Sequence, residues 1–349
     1  MKVQHNVVLA QYTSLHVGGP AENLVQASGA ELQSVLASSA KPYWIFGDGT
    51  NCLISDKGLP GTVVLNRGGT IQVVEPTVLK VDSGVSWDQL VQKAIELGLY
   101  GLEFSSGVPG NVGAAVAGNI AAYGHRVSDR LLGATILDTK TGTVTSWDNA
   151  AFNFDYRSSS LQSPEHQHCV VLDATFELSA SPTSQLEYDS ALTVAEDLGI
   201  LPDTLENRRA IILEVRKRAG SLMNDKSVGP WTAGSFFKNP VINESQVDAI
   251  LSKEEHGVTK EQLLRQNKIH SGNSVRVSSA HVLLAAGFKR GQTWGNVRLH
   301  KDHILKVENI GNATAQEIYD VIQVIVRTVK DKLDITLEPE VRFLGDFND

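Results

Sequence analysis

The sequence predicts an α+β protein, because strand patterns and helix patterns share the chain. Residues 21–25 and 43–46 form short apolar strands around residues 30–38, where apolar positions recur at helical spacing. Residues 314–333 form a long amphipathic helix near the C-terminus, and residues 335–343 then alternate strictly between apolar and other positions. Together these patterns require both sheets and helices.

Composition and charge restrict the function classes. The chain has 349 residues, 42% hydrophobic and 20% charged, which suits a globular protein of about two or three domains. A net charge of −8 and a pI of about 5.7 argue against an extended nucleic-acid surface, although a few local cations can still bind a small anion. The two cysteines indicate neither a disulfide framework nor a cysteine-rich metal site. The start lacks a signal-peptide pattern and no apolar run has membrane-spanning length, so we expect a soluble cytoplasmic protein.

A loop of small residues, 47–53, directly follows the strand at 43–46. Successive backbone N–H groups in such a loop can bind a pyrophosphate, but a plain strand-to-helix turn has the same composition. The loop is not a dinucleotide fingerprint, because Cys52 stands at the last glycine position, and no Gly-Lys-Ser/Thr follows to make a P-loop. A strand at 61–66 ends this region.

The middle of the chain combines strand pairs with one amphipathic helix. The helix is predicted at 86–97, with its apolar residues on one face and Gly98 as its stop. Strands are predicted at 71–75, 78–81, 134–138, 143–146 and 169–178.

Residues 107–119 consist mostly of glycine and small apolar residues, with almost no charge. A flexible linker is usually more polar, so this backbone is expected to pack closely against a partner. A second cofactor-contacting loop and tight helix packing both explain the composition, which does not decide between them.

Arg157 and Ser235 are the two candidate functional side chains. Arg157 lies among aromatic and hydroxyl residues in Phe-Asp-Tyr-Arg-Ser-Ser at 154–159, so it is either an exposed edge residue or a clamp for a carboxylate or phosphate. Ser235 lies in Gly-Ser-Phe-Phe-Lys-Asn-Pro at 234–240. It either presents its hydroxyl to a ligand or occupies a buried turn with an incidental hydroxyl.

Several helices are predicted in the C-terminal part before its final strand. Asp203 with Glu206, and Thr314 with Glu317, have the spacing of capping boxes. In the strand at 335–343 the charged residues share one face, which by itself favours a solvated edge strand. Helices are predicted at 202–217, 245–252, 279–286 and 314–333.

Common metal and nucleophile motifs are missing from the sequence. There is no His-Glu-x-x-His, Cys-x-x-Cys or Gly-x-Ser-x-Gly. His166 and His168 flank Gln167 in a polar loop and are expected to be solvated rather than metal-binding. We therefore expect no bound metal.

Three stretches together resemble one enzyme family. Residues 154–159, 234–240 and 337–343 (Leu-Glu-Pro-Glu-Val-Arg-Phe) are similar, in this order, to the signature segments of the UDP-N-acetylenolpyruvoylglucosamine reductases, the flavoenzyme family often called MurB. The glycine loops and residues 119–124 look like the FAD-binding loops of that family, and the resemblance spans nearly the whole chain. Residues from about 180 to 230, with Tyr188, resemble the branch that has a substrate-covering tyrosine loop.

The resemblance implies a vanillyl-alcohol-oxidase/PCMH-type FAD-binding fold in two subdomains, followed by an α+β substrate domain at the C-terminus. We expect the first subdomain at residues 1–72, completed by the C-terminal strand 335–349. The second subdomain is expected at 73–222, and the substrate domain at 223–334.

The implied reaction reduces the enolpyruvyl ether of UDP-N-acetylglucosamine to UDP-N-acetylmuramate, a cell-wall precursor. NADPH is the expected hydride donor, and FAD carries the hydride to the terminal CH₂ carbon while a proton goes to the neighbouring carbon. The FAD is expected to be noncovalent, because no His or Cys stands where a flavin tether is expected in the family. A UDP-linked amino sugar is thus the expected partner, with no nucleic acid, no membrane and a monomeric state.

The resemblance assigns three catalytic positions. Arg157 matches the active-site arginine, whose fork can hold the substrate carboxylate. Ser235 matches the proton donor. Glu340 matches an acid expected to hold a proton, because a neighbouring substrate carboxylate disfavours its charged form. Negative charge spreads into the substrate carboxylate after hydride addition, so these groups would stabilise the transition state.

The resemblance also implies two sets of binding residues. The cofactor set is Gly47, Asp48, Gly49, Thr50, Asn51, Cys52, Leu53, Arg67, Pro109, Gly110, Val112, Gly113, Asn119 and Arg342. The substrate set is Tyr188, Arg218, Lys238, Asn239 and His303, the last at a position where some members carry glutamine.

The sequence departs from the family at a few positions. Ala219 replaces a lysine that usually lies near the charged groups of the substrate, which leaves Arg218 or Lys217 to supply the charge. Gly118 and Ala121 differ from the commoner Gln and Gly before Tyr123, which concerns the detail of FAD binding rather than the fold.

Two other functions compete with the reductase: another FAD-dependent alcohol oxidase or dehydrogenase of the same fold, and a non-catalytic flavin-binding protein. Neither requires Arg157, Ser235 and Glu340 together, so the presence of all three favours the reductase.

Overall fold

The computed structural model of the chain describes residues 2–222, 231–253, 258–270 and 275–348. The chain divides into two compact units, each assembled from several segments. The first unit comprises residues 1–7, 21–48 and 60–224, and the second comprises residues 8–20, 49–59 and 225–349. The three-part division predicted from the sequence, with boundaries at 72 and 222, stays a prediction.

The secondary structure of the described residues is numbered in chain order. The strands are β1 (Gln4–Val8), β2 (Pro20–Ala27), β3 (Tyr43–Phe46), β4 (Cys52–Ile54), β5 (Leu59–Asn66), β6 (Ile71–Glu75), β7 (Val78–Asp82), β8 (Ala121–Ala122), β9 (His125–Arg126), β10 (Leu131–Asp138), β11 (Val144–Asp148), β12 (Cys169–Glu177), β13 (Trp231–Ser235), β14 (Val241–Ile242), β15 (Val275–Arg276), β16 (Thr293–Trp294), β17 (Val297–Leu299), β18 (Lys306–Asn309) and β19 (Arg342–Leu344). The α-helices are α1 (Gly29–Ser38), α2 (Trp87–Glu96), α3 (Val112–Ala117), α4 (Asp189–Leu198), α5 (Leu205–Arg218), α6 (Glu244–Leu251), α7 (Lys260–His270), α8 (Ser279–Ala285) and α9 (Ala315–Leu333).

The first unit contains two larger sheets. One has the strand order β1-β2-β5-β3, with β3 parallel to β5, and the other is antiparallel with the order β11-β10-β12-β7-β6. The apolar face of α2 packs on the second sheet, where Trp87, Leu90 and Val91 are at most 2% exposed and share a core with Phe176. The helical spacing of these residues in the sequence thus corresponds to one buried face.

The second unit is organised around α9 and an antiparallel sheet with the order β13-β18-β17-β16. The apolar face of α9 is buried, with Ile318, Ile322 and Ile325 at 0% exposure, and it packs in one core with Phe236 and Val307. Thr314 Oγ1 accepts the N–H of Glu317 at 3.1 Å, and Glu317 Oε2 accepts the N–H of Thr314 at 2.7 Å. These two bonds confirm the predicted capping box, which satisfies backbone donors that the first helical turn leaves open.

Most elements predicted from the sequence are confirmed, and two details are wrong. The N-cap of α5 is Thr204, whose hydroxyl accepts the N–H of Asn207 at 3.1 Å, and not Asp203. Of the strand predicted at 335–343 only β19 forms at its end, because the preceding residues pair through a single bridge at Pro339. The sequence reasoning missed α3, α4 and α7, and it also missed the short strands β14 to β18. Among the described residues, no helix is both long and apolar enough to cross a membrane.

Glu103 and Arg208 form a buried ion pair within the first unit. Arg208 Nη1 donates to Glu103 Oε1 at 2.8 Å, and the side chains of Arg208 and Glu103 are 6% and 0% exposed. Glu103 Oε2 also accepts the N–H of Gly101 at 2.6 Å, and the Arg208 guanidinium lies 5.4 Å from the Tyr100 ring centre. Two buried charges lose their hydration, so each depends on the other and on these further contacts.

Arg208→Met should destabilise the protein strongly, because it leaves the buried Glu103 charge without its partner. We expect a loss of about 3–5 kcal/mol in the free energy of unfolding, measured by urea denaturation. Arg218→Met on the same helix is the matched control, because Arg218 makes exposed ion pairs with Asp197 and Glu214, and it should have a far smaller effect. Equal losses in the two variants would contradict the assignment of Arg208 as the buried partner.

Candidate active site

Two glycine-containing loops predicted to bind the cofactor contact each other in the first unit. A Cβ added at Gly47 would lie 2.8 Å from Cγ of Asn111, so the backbone there approaches too closely for a side chain. Gly110 has a φ of +110°, which only glycine adopts readily, and its carbonyl accepts the N–H of Trp87 at 2.9 Å. Pro109 and Gly110 therefore lie against the start of α2. Where side chains are small or absent in this way, a flat or phosphorylated ligand can come close to the backbone.

A network of asparagines holds these loops together. Asn111 Nδ2 donates to the carbonyl of Asn66 at 2.8 Å, while Asn111 Oδ1 accepts the N–H of Ala114 and caps α3. Asn66 Nδ2 donates to Ser83 Oγ at 2.9 Å, and Asn66 Oδ1 is buried with no hydrogen-bond partner among the described residues. Val112 is fully buried and donates its N–H to Val85, so it contributes to the core.

The residues of these loops fit the predicted FAD. A buried oxygen without a donor costs free energy unless a ligand supplies one, and a flavin carries N–H and hydroxyl donors. Asp48 and Arg67 lie beside each other, with Arg67 Nε 3.7 Å from Asp48 Oδ1. A Cβ added at Gly113 would lie 3.0 Å from Cβ of Ser83, so this second loop is also closely packed. Of the two explanations that the composition of 107–119 left open, the structure thus shows tight packing, which is compatible with cofactor contact.

Asn119 links the second loop to the segment that carries Arg157. Asn119 is 1% exposed and has a φ of +42°. Its Nδ2 donates to the carbonyl of Asp155 at 3.0 Å, and its Oδ1 accepts the N–H of Ser128 at 3.1 Å. Ser159 Oγ donates to the carbonyl of Ala117 at 2.6 Å, at the end of α3. The arginine segment is therefore fixed to the candidate cofactor loop at both of its ends.

Arg157 lies in a tight turn closed by Asp155 and Ser158, whose N–H groups donate to each other's carbonyls at 3.1 and 3.2 Å. The φ of Arg157 is +53°, a left-handed conformation that costs on the order of 1–3 kcal/mol when a side chain is present. Surrounding bonds must hold such a residue in place, and strain of this kind concentrates at functional sites. Arg157 is half-buried, which disfavours the exposed-edge interpretation.

Tyr188 precedes α4 and contacts Tyr123 edge to face, with the ring centres 5.5 Å apart. Arg216 acts on Tyr123 through its charge, and it donates from Nη2 to the carbonyl of Ser221 at 2.9 Å and from Nε to that of Gly107 at 3.2 Å. Burial raises the pKa of Tyr123, although the charge of Arg216 opposes that rise. These contacts form a cluster of two tyrosines and one arginine.

Arg216 is a candidate residue that the sequence reasoning did not single out. The last turn of α5 contains three cations, Arg216, Lys217 and Arg218. The helix dipole favours each of them there, so the sequence alone does not distinguish Arg216 from the other two. The spacing along the helix could have identified Arg216. It follows the fully buried Ile212 by four residues, so the two side chains lie on the same face of α5.

Arg218 and Lys217, the residues expected to replace the missing lysine, make exposed ion pairs. Arg218 pairs with Asp197 and, at 3.0 Å, with Glu214, and its side chain is 42% exposed. Lys217 Nζ lies 3.6 Å from Glu214 and its side chain is 69% exposed. A substrate contact of Arg218 stays a prediction.

The second unit contains the other predicted cofactor residues. Gly49 has a φ of +63°, and a Cβ there would overlap the carbonyl of Tyr12. The N–H of Arg342 donates to the carbonyl of Asn51 at 3.1 Å, and β19 runs parallel to β4 with Arg342 opposite Cys52. Residues 49–53, which include Thr50 and Leu53, thus lie together with Arg342. The Cys52 and Leu53 side chains are buried, which leaves their backbone for a ligand.

The segment at 234–240 owes its position to two buried rings. Phe236 and Phe237 are 0% and 2% exposed and belong to the main core of the second unit. Gly234 has a φ of +82°, and the ladder between β13 and β18 is irregular between Thr232 and Ser235. Such an irregularity can redirect a side chain. Ser235 itself is half-buried, so it is not an interior packing residue.

Glu340 lies beside the serine segment. The N–H of Glu340 donates to the carbonyl of Phe236 at 2.8 Å, the N–H of Lys238 donates to that of Glu338 at 2.9 Å, and Phe237 bridges to Pro339. The second and third signature segments therefore pair directly in the second unit. The solvated-edge interpretation is wrong for Glu340, which is half-buried, because this pairing covers it.

The predicted substrate residues Lys238 and Asn239 both have partners within the second unit. Lys238 Nζ donates to Glu338 Oε1 at 2.6 Å. Asn239 Oδ1 accepts the N–H of Ser279 at 3.1 Å, so it supports the start of α8.

His303 lies in the turn between β17 and β18. Its N–H donates to Nδ1 of His300 at 3.1 Å, and its carbonyl accepts the N–H of Lys306 at 2.9 Å. Burial, reinforced by the positive charge of Lys306, lowers the pKa of His303 to about 4. Its ring is therefore neutral at pH 7 and can exchange hydrogen bonds without carrying charge.

The expectation of solvated histidines is wrong for His168. Its side chain is 17% exposed, and Nε2 lies 3.4 Å from Asp138 Oδ1. Ligand atoms of Asp138, His168 and Cys169 lie within 4.8 Å of one another, because Asp138 and Cys169 are opposite each other in the β10–β12 ladder. That no metal binds stays a prediction.

Two family models match separate parts of this chain. Residues 25–148 match an FAD binding domain, and residues 225–344 match the C-terminal domain of UDP-N-acetylenolpyruvoylglucosamine reductase. The two matches lie in the same order as the predicted cofactor and substrate regions.

Curated proteins named UDP-N-acetylenolpyruvoylglucosamine reductase are similar over nearly the whole chain. The protein from Saccharopolyspora erythraea is 31% identical over 95% of this chain and 93% of its own length. That from Corynebacterium diphtheriae is 31% identical over 97% of this chain and 89% of its own length. Among solved structures, the reductase from Thermus caldophilus matches with a TM-score of 0.61 and 24% identity, covering 99% of this chain and all of its own, which supports the fold.

His303→Gln should flatten the acid limb of the stability profile. The unfolded chain protonates this histidine below a pH of about 6.5, whereas the folded chain does so only near pH 4. The native state therefore loses stability as the pH falls through this window, by at most about 1.4 kcal/mol per pH unit. Glutamine does not titrate, so the His303→Gln variant should lose less stability as the pH falls. Urea denaturation between pH 4.5 and 7, with the exposed His5→Gln as control, tests this, and parallel profiles for His303→Gln and the unchanged protein would refute it.

Proposed function

Because this chain belongs to the UDP-N-acetylenolpyruvoylglucosamine reductase family, we propose that it reduces the enolpyruvyl ether of UDP-N-acetylglucosamine to UDP-N-acetylmuramate. NADPH is the hydride donor and FAD the cofactor. The observation that carries the proposal is the 31% identity over 95% of the chain. It favours the reductase over an alcohol oxidase or a non-catalytic flavin-binding protein. The product is a peptidoglycan precursor, so the enzyme serves cell-wall synthesis, cell shape and division.

FAD, when bound, takes a hydride from NADPH and makes it available to the terminal CH₂ carbon of the substrate. In the first unit we assign its binding to Gly47, Asp48, Arg67, Pro109, Gly110, Val112, Gly113 and Asn119. In the second unit we assign it to residues 49–53 and Arg342. We propose noncovalent binding, because the one cysteine in this set, Cys52, is buried at 7% exposure.

Arg157 is proposed to hold the carboxylate of the enolpyruvyl group. A guanidinium presents two parallel N–H donors that match a carboxylate, and it stays charged at every relevant pH. As negative charge spreads into the carboxylate during the reaction, these bonds strengthen and lower the barrier. The strained turn and its anchoring by Asn119 and Ser159 support a fixed direction for this side chain.

Ser235 is proposed to donate its hydroxyl proton to the carbon next to the carboxylate, and Glu340 to donate a hydrogen bond to the developing enediolate. A hydroxyl is a weak acid, but the carbon of an enediolate is a strong base, so the transfer is feasible. The direct pairing of the two signature segments supports joint action, because the Glu340 N–H is bonded to the carbonyl of the residue after Ser235.

Substrate contacts are proposed for Tyr188, Arg218, Lys238, Asn239 and His303. The neutral ring of His303 supports hydrogen bonding to a polar substrate group. The contact between Tyr188 and Tyr123 supports membership of the branch with the tyrosine loop, because it gives Tyr188 a partner on the segment after α3.

We further propose a cytoplasmic monomer that does not bind nucleic acid or membranes. NADPH and a nucleotide sugar are cytoplasmic metabolites, and a net charge of −8 opposes binding to polyanions. Sedimentation of the purified protein, alone and with duplex DNA or anionic vesicles, tests each part.

Arg157→Lys should lower turnover by roughly ten- to a hundredfold, the cost of one hydrogen bond to a charged group. The charge is kept but the fork is lost, so the defect isolates geometry from electrostatics. Arg126→Lys, at an exposed position of the same unit, is the control. Steady-state kinetics that show near-normal turnover in Arg157→Lys would exclude the carboxylate clamp.

Ser235→Ala should separate the two half-reactions. Reduction of the bound flavin by NADPH needs no proton at the substrate carbon, so it should stay almost unchanged. Reoxidation by the enolpyruvyl substrate should slow roughly a hundred- to ten-thousandfold, as for a lost general acid. Ser235→Cys should keep part of the rate, because a thiol also delivers a proton.

The measurement is stopped-flow absorbance of the flavin band, which should bleach with NADPH and return with substrate. Acid precipitation of the same protein should release the flavin into the supernatant. Failure of the unchanged protein to reoxidise with the enolpyruvyl substrate would overturn the proposed function. Equal losses in both half-reactions of Ser235→Ala, with a lowered melting temperature, would instead show that the serine is structural.

A further inference from the structure

We propose that Lys306 is a positioning residue for proton transfer, because it holds an ammonium charge next to the Ser235 hydroxyl and returns a proton to it. This inference rests on the proposed function, in which Ser235 is the proton donor. It adds a residue that acts through the serine rather than on the substrate.

The sheet of the second unit places Ser235 and Lys306 opposite each other. Ser235 ends β13 and is opposite Lys306, the first residue of β18, in the antiparallel ladder. Residues opposite each other in such a ladder project to the same face, with Cβ atoms about 4.5–5.5 Å apart. The Lys306 side chain is long enough for its ammonium to reach the serine hydroxyl across that separation. The carbonyl of Leu305 accepts the N–H of Phe236 at 2.8 Å, which fixes the register immediately beside the pair.

Lys306 is buried, with only 2% of its surface exposed. Lysine is almost never fully buried, since its charge is strongly hydrated in water. Leu305 and Val307 on either side of it belong to the main core of the unit, so Lys306 projects to the opposite face of the strand. A residue needed only for packing at this position would be apolar, so the charge itself calls for a role.

Glu308, the acidic residue two positions after Lys306, interacts with Arg298 and His300. Glu308, which shares its strand face, is 1% exposed and accepts hydrogen bonds from Arg298 at 2.8 and 2.9 Å. Nδ1 of His300 accepts backbone N–H groups, so its Nε2 carries the proton that faces Glu308, 3.7 Å away. Glu308 is thus engaged by Arg298 and His300.

His303 lies in the preceding turn, and its carbonyl accepts the N–H of Lys306 at 2.9 Å. Glu340 lies on the segment that pairs with Phe236, the residue after Ser235. Burial lowers the pKa of both His303 and His300; the positive charge of Lys306 adds to this at each ring, and the charge of Glu308 opposes it at His300. His303 is therefore neutral at pH 7 and does not provide a positive charge near Ser235. The buried residue opposite Ser235 that can provide one is Lys306.

Atoms and charges balance in the proposed step. The Ser235 O–H bond breaks as a C–H bond forms at the enediolate carbon, which leaves the serine oxygen negative. A nearby ammonium favours that oxyanion and lowers the barrier to the transfer. One N–H bond of Lys306 then breaks as the serine O–H re-forms, and the neutral amine regains its proton from solvent between turnovers. No oxidation or reduction occurs in this step, because the hydride has already been delivered.

The pKa of a thiol placed at position 235 measures the electrostatic potential there, and this measurement does not require the enzyme to turn over. Ser235→Cys should give a thiol whose pKa lies below the ordinary value of about 8.5, by about one unit or more, because a cation stands beside it. Ser235→Cys/Lys306→Met should return that pKa to about 8.5 or above. The pH dependence of iodoacetamide alkylation measures both, with the unsubstituted protein as the blank for Cys52 and Cys169. A thiol pKa that does not change on removal of Lys306 would overturn the proposal.

Single-turnover kinetics test the effect on the reaction. Lys306→Met should slow reoxidation of the reduced flavin by substrate roughly ten- to a hundredfold, less than the loss of the general acid itself, and leave reduction by NADPH unchanged. Lys306→Arg keeps the charge and should retain most of the rate. In the Ser235→Ala background, Lys306→Met should cost nothing further, because it acts only through the serine. The control is Lys301→Met, in the same turn with a side chain 73% exposed.

The outcomes separate this proposal from the proposed function. If the unchanged protein is not reoxidised by the enolpyruvyl substrate, the proposed function fails while the thiol measurement still reports on Lys306. If the unchanged protein turns over and Lys306→Met reoxidises normally, Lys306 has no part in the proton step. Equal losses in both half-reactions with a lowered melting temperature, or additive losses with Ser235→Ala, would reduce Lys306 to a structural residue.

Discussion

The pairing of residues 236–238 with residues 338–340 is the interaction on which the second unit's part of the site depends. Phe236 and Phe237 fill the core, and the backbone around them binds Glu338 and Glu340 on one side and Leu305 on the other. Burial of two aromatic rings provides a large hydrophobic contribution, so this backbone has little freedom to move. Ser235 directly precedes the two rings, and Glu340 is hydrogen-bonded to the backbone of Phe236. The position of both residues is therefore fixed, although neither belongs to the core.

The first unit achieves comparable rigidity by different means. Its loops contain small residues that pack backbone against side chain, as between Gly47 and Asn111, and buried amide side chains connect them. Asn119 extends this network to the turn of Arg157, whose left-handed conformation only persists because its flanks are bonded. Hydrogen bonds from asparagine side chains thus hold this region in place, whereas burial of aromatic rings holds residues 234–240 in place.

Buried charge recurs in both units, and each case is stabilised by close partners. Glu103 and Arg208 pair inside the first unit, and Glu308 and Arg298 pair inside the second. Burial alone would disfavour these charges, so their retention requires short hydrogen bonds. Burial also lowers the pKa of His303 to about 4, so its ring is neutral at pH 7.

The amino-acid sequence was sufficient to predict the elements whose signals are local. The apolar period of α2 and α9, the capping box of Thr314 and Glu317, and the glycine loops were recognisable because each depends on residues within a few positions. The ordered signature segments also identified the family, because their residue types and their order along the chain are enough for that. The three-dimensional fold was needed to show that residues 236–238 pair with residues 338–340, that Arg216 and not Arg218 acts on Tyr123, and that Lys306 is opposite Ser235. These facts depend on which distant segments share a core or a ladder, and local periodicity carries no information about the partner that a face will meet.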